Sequence, residues 1–165
     1  MKLLVIINAQ NDYTTGSVGY PGALDVLDKI KNAISEFDDC LFVLESHDKN
    51  YSNTLEAKYL EIPHTIKGTS GFEIHDKLKE FAKNMIESDS FASLELGEYL
   101  KNNYYDEIYL CGFYFHIQVL EDAIIAKAFS KNSKIIVLRE LSGTYDKKYA
   151  LEAENILRSN HIEVR

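Results

Sequence analysis

The chain has no tryptophan, two cysteines, two prolines and no surplus of positive charge: 18 Lys and Arg stand against 26 Asp and Glu, a net charge of -8. Each shortage excludes something. Without a basic patch, neither nucleic acid nor an anionic membrane surface is expected as a partner. Two cysteines are too few for a disulfide framework. Cys40 and Cys111 both fall at or in apolar runs, and buried thiols fit a reducing cytoplasm. No apolar run approaches the roughly 20 residues of a membrane helix. The start, Met1-Lys2 and then strand-like residues, has no small-residue cleavage site of a secretory leader.

What is present is ordinary for a soluble globular chain: 45% apolar residues and 27% charged. A length of 165 residues suits one domain around a sizeable core. Short β-rich runs alternate with helix-period segments. Strands are expected at Leu3–Ile7, Cys40–Leu44, Asn84–Glu87, Glu107–Cys111, Lys134–Leu138 and Ile162–Val164. Runs such as "LLVII", "CLFVL" and "KIIVL" are apolar without alternation, as strands buried on both faces are. Between them, Ala23–Phe37 repeats apolar residues at Leu24, Leu27, Ile30 and Ile34, a helical stripe. Leu94–Leu100, Ile117–Phe129 and Lys147–Leu157 read as further helices. Alternation of this kind predicts a three-layer α/β domain, a mostly parallel sheet with helices on both faces.

One segment breaks the pattern. Glu45–Gly71, "ESHDKNYSNTLEAKYLEIPHTIKGTSG", is long, polar and without a period. A connection of that length in a compact domain is usually functional or disordered. It leaves the carboxyl end of the second strand, the end at which open α/β sheets bind ligands.

Four stretches, in order, resemble one family. "LLVIINAQNDY" is similar to an opening strand followed by Asp, any residue and Gln-Asn-Asp-Phe/Tyr. "ESHDKNYSNT" with "EIPHTIKGTSGFEI" resembles a loop of acid-x-His, a later His and Gly-Thr-x-Gly. "IESDSFASLELGEYL" resembles a segment with a lysine three residues before Phe-Gly-Ser, and "LCGFYFHIQVLEDA" resembles Gly-Val-x-Thr-Asp-x-Cys-Val at a helix start. The chain thus resembles the isochorismatase-like cysteine hydrolases, which include nicotinamidases, and the likeness implies a six-stranded sheet.

The resemblance implies a cysteine nucleophile, an aspartate base and a lysine that holds the pair in an activated state. Those positions fall on Gln118, Asn8 and Ser88, and all three are replaced. Asn takes no proton, Ser carries no charge and the Gln amide is no nucleophile. The resemblance also places backbone N–H donors and a cis peptide near Phe113–Tyr114. The bulk of "GFYFH" leads us to expect a narrowed pocket bounded by Tyr13, Phe113, Tyr114 and His116. It implies that Glu45, His47 and His64 correspond to ligands of a divalent metal, Zn, Fe or Mn. Their alternative role is to stabilise the loop by hydrogen bonding.

The remaining motifs read as structure. Cys111 and Cys40 read as core residues, and Gly68, Thr69 and Gly71 as turn and cap chemistry. His75 and His161 have no partner legible in sequence. The aromatic run "YYDEIYLCGFYF" suggests a subunit contact as well as a site wall. The expected function is that of an inactive family member that binds a small molecule or a partner, as a homo-oligomer or with a paralogue. The alternative is a small-amide hydrolase of nicotinamidase type that works without cysteine, assisted by a metal.

Overall fold

Six strands, β1 (Lys2–Ile7), β2 (Asp39–Glu45), β3 (Met85–Ser88), β4 (Glu107–Gly112), β5 (Lys134–Ser142) and β6 (Glu163–Val164), form one sheet in the computed structural model, which describes residues 1–165. The order is β3-β2-β1-β4-β5-β6 and every pairing is parallel. The chain winds outward from β1 to β3, then returns to the other side of β1. The switch between β1 and β4 opens a crevice at their carboxyl ends, where such sheets take ligands.

The unalternating strands are buried on both faces, as their composition predicts. Leu3, Val5 and Ile7 join a core of 21 residues on one face, while Leu4 and Ile6 join a core of 17 on the other. Helices α4 (Leu94–Asn102), α5 (Gln118–Phe129) and α6 (Lys147–Ser159) cover the first face. Helices α2 (Ala23–Ala33) and α3 (Asp76–Lys79) cover the second, and the short α1 (Asn11–Thr14) follows β1. The helix expected to run to Phe37 ends at Ala33 and continues as a 3-10 turn over Ile34–Glu36. Its buried stripe is Ala23, Leu27, Ile30 and Ile34, whereas Leu24 is 39% exposed. Position 23 takes the sheet-facing place because the helix begins there, immediately after Gly22.

Two close approaches shape the crevice. A Cβ on Gly112, at φ +114°, would lie 2.0 Å from the carbonyl oxygen of Ile7, so only glycine lets β1 and β4 run this near. A Cβ on Gly71 would meet the Asp12 carboxylate at 2.0 Å. That carboxylate accepts from the backbone N–H groups of Thr65 (2.7 Å) and Ser17 (3.1 Å), clamping the long loop to α1.

The aromatic run after Asn103 goes mostly inward. Tyr105, Tyr109, Phe113, Tyr114 and Phe115 are all buried within the protomer, while Tyr104 stays exposed. Cys111 is buried in β4, but Cys40 is only partly covered, against the expectation that both lie inside. No helix is long and apolar enough to cross a membrane.

Candidate metal centre and ligand pocket

The loop from Glu45 to Gly71 is ordered by its own contacts. His47 and Ile66 pair as a parallel bridge, with His47 N–H donating to the Thr65 carbonyl and Lys67 N–H to that of His47. Two 3-10 turns, Tyr51–Asn53 and Glu56–Lys58, fold the intervening chain back over the sheet end. Tyr51, the first residue of the first turn, is buried. Its ring meets His47 and His64 edge-on at centroid distances of 4.9 and 5.2 Å, and its hydroxyl donates to the Leu60 carbonyl at 2.7 Å.

This folding gathers Glu45, His47 and His64, as the resemblance implies, and adds Glu56, which sequence reasoning missed. One donor atom from each of the four lies within 4.8 Å of all the others. His64 Nε2 is 3.1 Å from Glu45 Oε2 and 3.5 Å from Glu56 Oε1, and His47 Nε2 is 3.7 Å and 3.6 Å from the same two carboxylates. Glu56 belongs to no motif and no period. Its only signal is that it is an acid within the same polar loop, brought in by a 3-10 turn.

Donors about 2.1 Å from a tetrahedral ion stand about 3.4 Å apart, so these spacings match a coordination shell. Two imidazoles and two carboxylates suit Zn, Fe or Mn. The buried Nε2 of His47 has no hydrogen-bond partner, as expected of a nitrogen whose lone pair is meant for a cation. Outer contacts hold the ligands in place. His64 Nδ1 faces the Ile62 carbonyl at 2.9 Å, and Glu45 Oε2 accepts from the Tyr13 hydroxyl at 2.6 Å and the Thr65 hydroxyl at 3.1 Å. Thr65 adopts φ +46°, costly for a β-branched residue, and it is held there by bonds to Asp12, Glu45 and His47.

The electrostatics agree with that geometry. Burial alone would raise the pKa of Glu45, but the imidazoles of His47 and His64 and the Tyr13 hydroxyl outweigh it and hold the carboxylate well below its usual range. Burial opposes a charge on His64, yet Glu45 pulls its pKa upward. Glu56 is pushed up by burial and by the charge of Glu45.

The three positions to which the resemblance assigns the catalytic groups behave differently. Asn8 follows β1 at φ +51°, a conformation that asparagine tolerates, and its Oδ1 accepts from the Glu45 backbone N–H at 3.1 Å. Ser88 ends β3 opposite Glu45 in register, and its hydroxyl donates to the Ser90 carbonyl at 3.1 Å. Gln118 begins α5, and its Oε1 accepts from the Tyr114 N–H at 3.1 Å. Its Nε2 donates to the Tyr13 hydroxyl at 2.6 Å and to Glu45 Oε1 at 3.4 Å. No hydrogen bond links the three side chains to one another. Asn8 and Ser88 are tied to backbone, and only Gln118 reaches the pocket.

That pocket has a volume of about 320 Å³, and Tyr13, His64, Tyr114, Ile117, Gln118 and Tyr145 are among its walls. It is lined with aromatic rings, as expected, but remains open. Two of its predicted residues lie elsewhere. Phe113 is fully buried under α2, where its ring packs on Tyr20. His116 stands behind the wall, bonded to the Thr144 hydroxyl at 2.9 Å and stacked against Tyr114. The Phe113–Tyr114 peptide is cis.

The structure is a parallel α/β sheet with a cluster of two histidines and two carboxylates at its carboxyl edge, each offering one donor atom that a metal ion could take. The sequence model of the isochorismatase domain matches residues 2–161, and the chain belongs to that family. It is 26% identical over 166 residues to the uncharacterized isochorismatase family protein PncA of Bacillus subtilis (strain 168), covering 89% of this chain and 88% of that one. The crystal structure of the nicotinamidase/pyrazinamidase PncA from Bacillus subtilis superposes with a TM-score of 0.81 at 24% identity, over 99% and 98% of the two chains. The pyrazinamidase of Pyrococcus horikoshii in complex with zinc superposes with a TM-score of 0.86 at 19% identity, over 99% and 98%.

Proposed function

We propose that this chain is a metal-dependent hydrolase of small planar amides in which the cysteine route has been lost. The four-donor cluster beside an open aromatic pocket carries this reading, since Glu45, His47 and His64 are all buried there. Relatives described as nicotinamidase and pyrazinamidase support the amide as substrate class. Glu45, His47 and His64 would hold the cation. A bound divalent ion would supply Lewis acidity toward a carbonyl and toward water.

The chain's own residues do the rest. Tyr13, Tyr114 and Tyr145 offer ring surfaces to a flat ligand and exclude bulk water from its faces. His64 lies at once in the cluster and in the pocket wall, so a ligand there abuts the metal ligands. Glu56 is the most exposed of the four donors and takes up or returns a proton at its carboxylate oxygens.

A second reading, a binder without turnover, is favoured by one observation: positions 8, 88 and 118 carry no ionisable group. Ammonia release from a panel of small amides, nicotinamide included, separates the two. The hydrolase reading expects release that requires added Zn²⁺ or Mn²⁺, survives thiol alkylation and falls at least tenfold in Glu56→Gln. Silence from the metal-loaded chain, with turnover in the Asn8→Asp/Ser88→Lys/Gln118→Cys variant, would establish the second reading instead.

A further inference from the structure

We propose that the pocket is an aromatic cage that selects a flat organic cation, an N-alkylated pyridinium, over its neutral and anionic isosteres. This deepens the reading above and rests on it for the place of the ligand alone, not for turnover. Four tyrosines, Tyr13, Tyr20, Tyr114 and Tyr145, line the pocket of about 320 Å³. Tyr114 is their hub. Its ring centroid lies 5.1 Å from that of Tyr13, 5.9 Å from Tyr20 and 4.8 Å from Tyr145, at interplanar angles of 61°, 58° and 89°. Rings inclined in this way form the corners of a box, where parallel rings would form a slot. Boxes of tyrosines hold quaternary nitrogen through its attraction to the negative faces of the rings.

The hydroxyls strengthen those faces. Tyr13 donates to the Glu45 carboxylate at 2.6 Å and Tyr114 to the Val18 carbonyl, and a phenol that donates is polarised toward a more electron-rich ring. All four phenols stay neutral, because burial raises the pKa of each. Nothing on the walls opposes a cation. No Lys or Arg lines the pocket, and position 88, to which the resemblance assigns a lysine, is Ser88. His64 is the one imidazole in the wall, and it faces Glu45 at 3.1 Å and Glu56 at 3.5 Å, so a charge on it is matched by an acid. An anion would find no ammonium or guanidinium in these walls and would be repelled by the ring faces.

Three isosteres test the proposal by isothermal titration, on the chain loaded with Zn²⁺ and on the chain held in a chelator. 1-Methylnicotinamide carries the positive charge, 3-methylbenzamide has the same shape without it, and 3-methylbenzoate is the anion. In both states the cation is expected to bind about tenfold tighter than the neutral amide, and the anion not measurably. Tyr145 is 56% exposed, so its ring can be changed without disturbing the core. Tyr145→Leu should weaken the cation about fivefold and leave 3-methylbenzamide within about twofold, whereas Tyr145→Phe keeps the preference. Equal affinity for the cation and the neutral amide overturns the proposal. So does the absence of binding by all three, or a preference that Tyr145→Leu leaves intact. A preference confined to the metal-free chain would assign it to the charges of Glu45 and Glu56, and overturns the cage as well. Ammonia release is read separately. Turnover without cation preference sinks the cage and spares the hydrolase reading, and cation binding without turnover does the reverse.

Discussion

Two sides of one sheet end carry different chemistry. On the β2 side, Glu45, His47, Glu56 and His64 keep four titratable donors in contact range. On the side of β1, β3 and α5, Asn8, Ser88 and Gln118 hold none. The difference is in how each half is supported. Glu45 is tied through Tyr13, Thr65 and its backbone to β1 and the long loop, so its loss would unpick the loop as well as the site. The positions on the other side need only a polar side chain that finds a partner, and an amide or a hydroxyl does this without charge. The sheet end is therefore held by a charged cluster on one side and by neutral hydrogen bonds on the other.

Glu45→Ala should break the comparison most severely. It leaves the buried His64 imidazole and the Tyr13 and Thr65 hydroxyls without the carboxylate they face, and breaking such a buried set costs about 3–5 kcal/mol. Urea unfolding of the metal-free chain measures that cost. Competition with a chromophoric chelator should show Zn²⁺ binding weakened by a factor on the order of 100 or more. Binding that survives unweakened would mean that the cluster is only scaffold.

Asp12→Ala tests whether loop order sets the metal side at one remove. It removes the acceptor for the Thr65 and Ser17 N–H groups, at a cost of about 1–3 kcal/mol. Because Thr65 also supports Glu45, Zn²⁺ affinity should fall by about tenfold, with no change at Gln118 detectable in the Tyr114 resonance. Unchanged affinity would separate the loop clamp from the centre.

The smallest effect lies on α5, whose buried carboxyl points away from the pocket. Asp122 is raised to about 8 by burial, with Glu121 and Glu95 adding to the rise against the Ser93 N–H that it accepts. A carboxyl with a raised folded pKa contributes stability that is complete below its ordinary value of 3.8 and is lost as the pH climbs through about 8. Asp122→Asn keeps the acceptor for Ser93 and removes the ionisation. Its melting temperature should exceed that of the natural chain at pH 9 by about 3 °C or more, with the gap closing toward pH 5. A gap independent of pH would show that Asp122 is not protonated in the folded chain.

The sheet was legible because its strands are apolar on both faces, a pattern that needs no partner to recognise. Leu3–Ile7 and Cys40–Leu44 differ from the observed β1 and β2 by a residue at one end or at each. The wrong face assigned to Leu24 shows the limit: a stripe defined by spacing alone can start one residue off when the helix begins at a neighbouring alanine. The acid and two histidines of the long loop, Glu45, His47 and His64, were visible in sequence as well, and the fold brings them together. Phe113 and His116 were misplaced because bulk in sequence does not say which side of a wall a ring takes.

The sequence by itself determined the alternation of strand and helix, the absence of an ionisable side chain at positions 8, 88 and 118, and the presence of an acid and two histidines in one loop. These are properties of residue type and order, and no folding changes them. Only the tertiary structure decided that Glu56 completes the cluster, that Asn8 and Ser88 turn to backbone, and that Gln118 spans Tyr114 and Tyr13. Each of those depends on contacts between elements distant along the chain, whose distances are set by the packing of the loop and α5 against the sheet end.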